Sequence, residues 1–409
     1  MNGRIPESRH EHRDLALLIT GNVVSTFGNA VYILAVLLLL KELTNSAFML
    51  GLFQFLALAP AFFLSPLTGA LIDRVPRRRI VILADLYRGV LMITAGAALT
   101  VPELRAPWFV LPITLLMGVG HALFVPAAHA ILPSLVSDSR LQTATGLRAA
   151  GSQIANLGGN ATGGALFALL GASALFLLNG VTFLVSAVQE LFIRGGREVP
   201  RDGSERSDFG AAARDGLRTV LRDRAVLPLM ASQAGLFVVS PVLLLSLPFI
   251  VIDELGMGER ALGYFFALAI AGGIAAFGLL RRQASRLTTT RRRIAGAYVL
   301  LGAAFVAVAV GTSVLTLILA ALAGGAAAAT VYLSVTTYIQ RRAPGHLLGR
   351  YFAALEAASA LVAPVSYLAV GALLEGLDGG RWGLFAVVGG VTVAWGIILA
   401  RPLKWCQDC

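Results

Sequence analysis

Asp85 and Arg88 carry opposite charges and stand three residues apart inside a long apolar stretch of the chain. Residues spaced i and i+3 share one face of a helix, so the two can pair. A charge at mid-bilayer costs about 2.5–3.5 kcal/mol on insertion scales and is a functional candidate by default. A paired Asp85 and Arg88 serve either structure or a gating and substrate role. His121 falls near the middle of the next apolar stretch, with His129 eight residues on and on roughly the same face. Histidine titrates near neutral pH, so His121 is a candidate proton carrier, or else a neutral ring bonded to a backbone or hydroxyl group. Arg148 and Glu356 are of opposite charge and lie 208 positions apart. Each sits about two turns from the end of its apolar stretch, as expected of a gate network or of snorkelling side chains. Glu190 is close to the end of a stretch, and the expectation is that it reaches the membrane interface.

Other chemistries lack their residues. Five scattered histidines and few carboxylates inside the apolar stretches make no metal or acid–base cluster. No Gly-x-x-x-x-Gly-Lys-Ser/Thr loop is present, and Gly118-Val119-Gly120 lacks the third glycine of a nucleotide fold. Cys406 and Cys409 form a lone Cys-x-x-Cys with no partner pair or nearby histidine, which reads as a bland tail. Neither an enzyme, nor an ATP-driven permease, nor a bound metal or cofactor is expected.

The elements that must position these residues follow from composition. The 409 residues are 57% hydrophobic and 13% charged, against about one quarter charged in a soluble domain. A spanning helix needs roughly 20 mostly apolar residues. Spans are predicted at 15–40, 47–71, 79–101, 107–132, 141–168, 171–193, 226–252, 260–280, 294–312, 314–339, 347–375 and 382–402. The fold expected is an all-α membrane protein of about twelve transmembrane helices. No cleavable signal peptide is expected, because the polar start is followed by an apolar stretch too long for one.

The net charge of +11 does not imply nucleic acid, because the arginines sit in short connections between spans. One set of connections holds Arg74, Arg77, Arg78, Arg79, Arg140, the run Arg194 to Arg224, Arg291 to Arg293, Arg341 and Arg350, while the alternate set holds only Lys41, Arg105, Arg260 and Arg381. The basic set is expected to be cytoplasmic, with both termini inside a cell (inner) membrane. Trp108, Trp382 and Trp405 stand at interface-anchor positions.

The chain also repeats weakly. The Arg-rich connection starting at Gly69 has a counterpart starting at Gly278, 209 residues on. Two six-helix halves are expected, residues 1–193 and 226–409, joined by a linker at 194–225. Within the linker Leu217, Val220 and Leu221 line one face of a short helix, Phe209 to Arg224, which either ties the halves together or is an ordinary solvated connection. Two such halves describe a secondary transporter with its site between them, working by alternating access.

Gly69-Ala70-Leu71-Ile72-Asp73-Arg74-Val75-Pro76-Arg77-Arg78-Arg79 resembles the signature loop of the major facilitator superfamily, with Pro76 replacing its second glycine. Leu43 to Ser46, Ala84 to Arg88, and Leu123-Phe124-Val125-Pro126-Ala127 through Leu132 to Val136 resemble the drug:proton antiporter branch, which includes macrolide and enterobactin exporters. The resemblance implies a conformational latch at Gly69, Asp73, Arg74 and Arg78. It implies export of small amphipathic molecules coupled to protons, in a protein able to function as a monomer among membrane lipids. Asn29 stands where many of these relatives carry an acid. Gly158 to Gly164 resembles the antiporter glycine motif, with Asn160 where a proline would often sit; it is either a bending interface or generic small-residue packing.

Asn29, Gln54, Gln153, Asn156, Gln233 and Tyr338 are candidates for a polar central cavity, or for helix–helix glue. Pro60, Pro66, Pro126, Pro241, Pro248 and Pro364 are expected to kink their spans. Two further cargo readings remain beside the drug or siderophore exporter: a lysophospholipid or other lipid carrier, and a narrowly specific metabolite transporter.

Overall fold

A computed structural model describes residues 8–195, 218, 223, 226–280, 287–342, 345–377 and 381–400. Most of the expected linker helix and the Cys406 and Cys409 tail lie outside the described residues, as do the side chains of Asp73 and Glu356. Among the described residues every regular element is helical. The helices are α1 (Ser8–Thr44), α2 (Ala47–Phe63), α3 (Ser65–Arg74), α4 (Arg77–Ala98), α5 (Pro107–Ile131), α6 (Asp138–Leu191), α7 (Leu227–Pro248), α8 (Gly258–Leu280), α9 (Leu287–Val310), α10 (Val314–Arg342), α11 (Gly345–Gly376) and α12 (Arg381–Ala400).

Among the described residues ten helices are long and apolar enough to cross a membrane. Two details reconcile that figure with about twelve crossings. Helix α6 turns back at Gly171, whose φ of +73° and ψ of 174° suit glycine and few other residues, so it supplies two crossings. Helix α2 is apolar but stops after 17 residues. Proline accounts for that stop: Pro60 interrupts the last turn of α2 and a second proline opens α3. The backbone stays satisfied across the break, because Leu64 N donates to Pro60 O at 2.9 Å and Ser65 Oγ donates to Phe62 O at 2.8 Å. Pro248 extends the same logic to α7, which gives way there to a π-helical turn over Phe249–Glu254.

The chain divides into two compact units, Met1–Asn45 with Leu56–Asp208, and Ser46–Phe55 with Phe209–Cys409. In the first, α6 lies along α1 and α4, and α5 lies beside α4. In the second, α9 pairs with α12, α10 with α8 and α11 with α7. The Ser46–Phe55 piece also lies against α11, where Phe48 N donates to Glu375 Oε2 at 3.4 Å.

Small residues set these approaches. Lipid tails supply no hydrophobic drive between helices, so close backbone contact and van der Waals packing hold the bundle. A Cβ added to Gly325 of α10 would stand 1.6 Å from Ala269 O of α8. In the glycine motif of α6, a Cβ on Gly159 would lie 2.7 Å from both Phe27 O and Ala30 Cβ of α1. One on Gly158 would meet only the Phe27 ring, at an ordinary 3.7 Å. Gly159→Ala should therefore cost about 1–3 kcal/mol through overpacking. Gly158→Ala should leave thermal unfolding of the purified protein near wild type, and equal melting temperatures for the two variants would contradict this packing account.

Candidate functional site

The signature segment is mostly helix. Gly69 to Arg74 belong to α3 and Arg77 opens α4, leaving Val75 and Pro76 as the connection. Pro76 has φ −51° and Val75 is extended, at φ −119° and ψ 140°. Those are the conformations that a proline and its predecessor favour. The turn thus uses the fixed φ of proline where the family pattern has glycine. Gly69 has open space beside it and Arg74 is exposed.

Two arginines of the segment cap neighbouring helices. Arg77 Nη1 donates to Ala130 O, at the end of α5, at 2.9 Å. Arg78 Nε donates to Glu190 O at 3.2 Å, and its Nη2 also donates to Leu191 O, both at the end of α6. Cations placed there complement the negative ends of two helix dipoles and bond otherwise orphaned carbonyls. Asp14 of α1 works from the other direction. Its Oδ2 accepts from the amides of Arg194 and Gly195, at 2.8 and 3.0 Å, just beyond α6.

About two turns further along, α4 holds a buried charge cluster. Asp85 is 0% exposed and Arg88 3%, and the two form an ion pair. The Arg88 guanidinium is also sandwiched between rings, 4.2 Å from the Phe124 centroid and 4.3 Å from that of Phe183. A desolvated cation over a ring gains about 2 kcal/mol. Gly120 makes room for its stem, since a Cβ there would lie 2.6 Å from Arg88 Cγ. Glu190 corrects the sequence expectation: it is 1% exposed and faces this cluster instead of the interface. Its Oε1 accepts from Ser186 Oγ at 3.5 Å. No interior partner could be inferred for Glu190 from chain position alone; the i, i+4 spacing from Ser186 was the available signal.

The remaining candidates fall elsewhere. His121 lies on an exposed part of α5. His129 is likewise exposed, and its ring nitrogens lie 2.9 and 3.0 Å from Arg148 Nη2, so Arg148 has a partner within the first unit. Asn29 and Asn156 are half-buried, on α1 and α6, and Gln153 of α6 is exposed. Gln54 is half-buried and hydrogen-bonded to Tyr367 in the second unit. Gln233 and Tyr338 are buried. Beside Gln233 is a polar network without a sequence signal: Tyr298 OH donates to Ser232 O, and Trp395 Nε1 donates to Ser232 Oγ at 3.3 Å. Its members come from three helices, with Ser232 and Trp395 163 positions apart.

An all-helical bundle of about twelve crossings, with charges held inside it, is the architecture of a multi-pass membrane transporter. The chain belongs to the Major Facilitator Superfamily, whose model matches residues 18–366. It is 26% identical over 383 residues to the MFS-type transporter YfiS of Bacillus subtilis (strain 168), covering 89% of this chain and 87% of that one. It is 24% identical over 226 residues to macrolide efflux protein A of Streptococcus pyogenes, covering 54% of this chain and 55% of the relative. The chain thus spans about half the length of that relative. A lysophospholipid transporter, LplT of Photorhabdus laumondii, is 28% identical over 200 residues, covering 48% of this chain and 46% of its own. Among solved structures, a bacterial homologue of the iron transporter ferroportin superposes with a TM-score of 0.71 at 19% identity, covering 95% of this chain and 99% of that one.

The buried cluster yields a stability prediction. Arg88→Leu leaves the Asp85 carboxylate in the interior without its cation and should cost about 3–5 kcal/mol. Adding Asp85→Leu removes the stranded partner and should recover most of that loss. Thermal unfolding of the three purified proteins reads both effects, and a double variant no more stable than Arg88→Leu would rule out a mutual dependence of the pair.

Proposed function

We propose that the chain exports small amphipathic molecules, of the drug, macrolide or siderophore-like class, by alternating access coupled to proton entry. The observation that carries this reading is the similarity to macrolide efflux protein A within a chain of the superfamily. The close packing of the α6 glycine motif on α1 supports it, as that motif resembles one of antiporters. In this reading the halves 1–193 and 226–409 rock about a central substrate site as a monomer. The arginine-rich ends and both termini face the cytoplasm from the cell membrane.

Within that scheme the signature segment is the latch. Arg77 and Arg78 fasten it to the ends of α5 and α6. Gly69, Asp73 and Arg74 complete the latch that the resemblance implies. Asp85, Arg88, His121, Arg148 and Glu356 are the gate or coupling residues. Asn29, Gln54, Gln153, Asn156 and Gln233 are the polar candidates of the cavity. A second reading, a carrier of lysophospholipid or another lipid, is favoured by the similarity to LplT.

Purified protein in proteoliposomes separates the two. Under an imposed pH difference, amphipathic cationic dyes or macrolides should move against their gradient, and Asp73→Asn should abolish that movement. Lipid crossing between leaflets without any pH difference, with dyes left in place, would replace the exporter with the lipid carrier.

A further inference from the structure

We propose that Asp85, Arg88 and Glu190 form a proton-binding site inside the first unit, with Glu190 taking and releasing the proton. The inference deepens the proton-coupled reading above and rests on it for its role in transport, though not for the existence of the site.

The geometry places two carboxyl groups and one guanidinium together with almost no solvent exposure. Asp85, Arg88 and Glu190 are 0, 3 and 1% exposed. Arg88 gives its charge to Asp85 Oδ1, its faces to Phe124 and Phe183, and its Nε to Ala84 O at 3.4 Å. That leaves Asp85 Oδ2 and Glu190 Oε2 buried with no hydrogen-bond partner. The Ser186 hydroxyl lies within reach of both carboxylates, yet it has one proton to donate. With both acids ionised, the interior holds one uncompensated negative charge. Burial of an unpaired charge is far costlier than burial of a neutral acid. One proton, bonded to Glu190 Oε2, neutralises the cluster and turns an orphaned acceptor into a donor.

Other charges around the cluster do not supply the balance. From α4, Arg78 acts on Glu190 electrostatically, but it is half-exposed and its guanidinium is bonded to the Glu190 and Leu191 carbonyls. From α5, His121 stands within electrostatic range of Arg88 and would add positive charge only when itself protonated. From α1, Asp14 lies beyond the end of α6, where its side chain accepts from the Arg194 and Gly195 amides.

The same residue meets the signature segment. The Glu190 carboxyl lies within electrostatic range of Arg88, and its carbonyl oxygen accepts from Arg78 Nε at 3.2 Å. When the proton leaves for water, the Glu190 carboxylate competes with Asp85 for Arg88. The resulting shift in the last turn of α6 is felt by the arginine that clasps it. Protonation at the cluster thereby biases the segment assigned above as the latch.

Infrared difference spectroscopy of the purified full chain, without cargo, reads the site directly. A carboxylic-acid C=O band should be present at acidic pH, vanish on going to alkaline pH, and be missing from Glu190→Gln. Asp85→Asn should retain the band but shift the pH at which it vanishes. Absence of any Glu190-dependent band would overturn the proposal. A band displaced by sodium at constant pH would also overturn it, in favour of a metal-ion site. The proteoliposome assay then separates the two levels. Glu190→Gln should lose gradient-driven dye movement while unfolding like wild type, since Gln imitates the neutral acid. A Glu190-dependent band in a protein that moves no dye leaves the site standing and removes the exporter reading. Gradient-driven movement that survives in Glu190→Gln leaves the exporter and removes the coupling role.

Discussion

A guanidinium inside an apolar helix bundle must bring its own solvation, and much of the first unit is arranged to provide it for Arg88. Water cannot stabilise the charge there, so protein groups replace it on every side. Asp85 occupies the end of the fork, Phe124 and Phe183 cover the two faces, and Gly120 withdraws a side chain to admit the stem. Those groups come from α4, α5 and α6, so solvating one charge fixes the relative placement of three helices. Ile80, Val81, Ala84, Phe124, Ala127 and Ala128 continue the same contact as an apolar cluster. The cost of burying Arg88 is thus converted into specificity of packing, which hydrocarbon contacts alone cannot provide among lipid tails.

The helix ends obey a related constraint. Terminal carbonyls have no helical partner, and the arginine-rich connections that orient a membrane protein are well placed to bond them. Arg77 and Arg78 serve both ends at once, on α5 and α6, while Asp14 closes the chain beyond α6. A basic connection read only as a topology signal therefore has a second, structural task. The signature segment is held by its arginines to the first unit, whereas Arg74 remains exposed.

Much of this was legible in the sequence, for reasons that differ by residue. Spans could be read because twenty apolar residues have few alternatives to crossing a bilayer. The turn at Gly171 coincides with the first residue of the sixth predicted span, and Pro60 and Pro66 mark the break in the second. The Asp85–Arg88 pair was visible because its partners are three residues apart on one helix. Glu190 is not legible in this way, because the charges that act on it are on α4, about a hundred residues away in sequence, and nearness to a helix end suggests solvent. The Ser232, Tyr298 and Trp395 network was invisible for the same reason: each residue is ordinary alone, and only the fold assembles them.

The two units differ in what they bury. Among the described residues the buried charged side chains are Asp14, Lys41, Asp85, Arg88 and Glu190. All five lie in the first unit. The polar side chains buried in the second, including Ser232, Gln233, Ser246, Ser334, Thr336 and Thr392, carry no charge. Hydroxyl and amide groups stiffen helix contacts without responding to pH, whereas a carboxylate cluster changes its charge when a single proton arrives. Among the described residues, then, the buried groups that can change charge by binding a proton belong to the first unit, and a change of pH has fewer buried targets in the second.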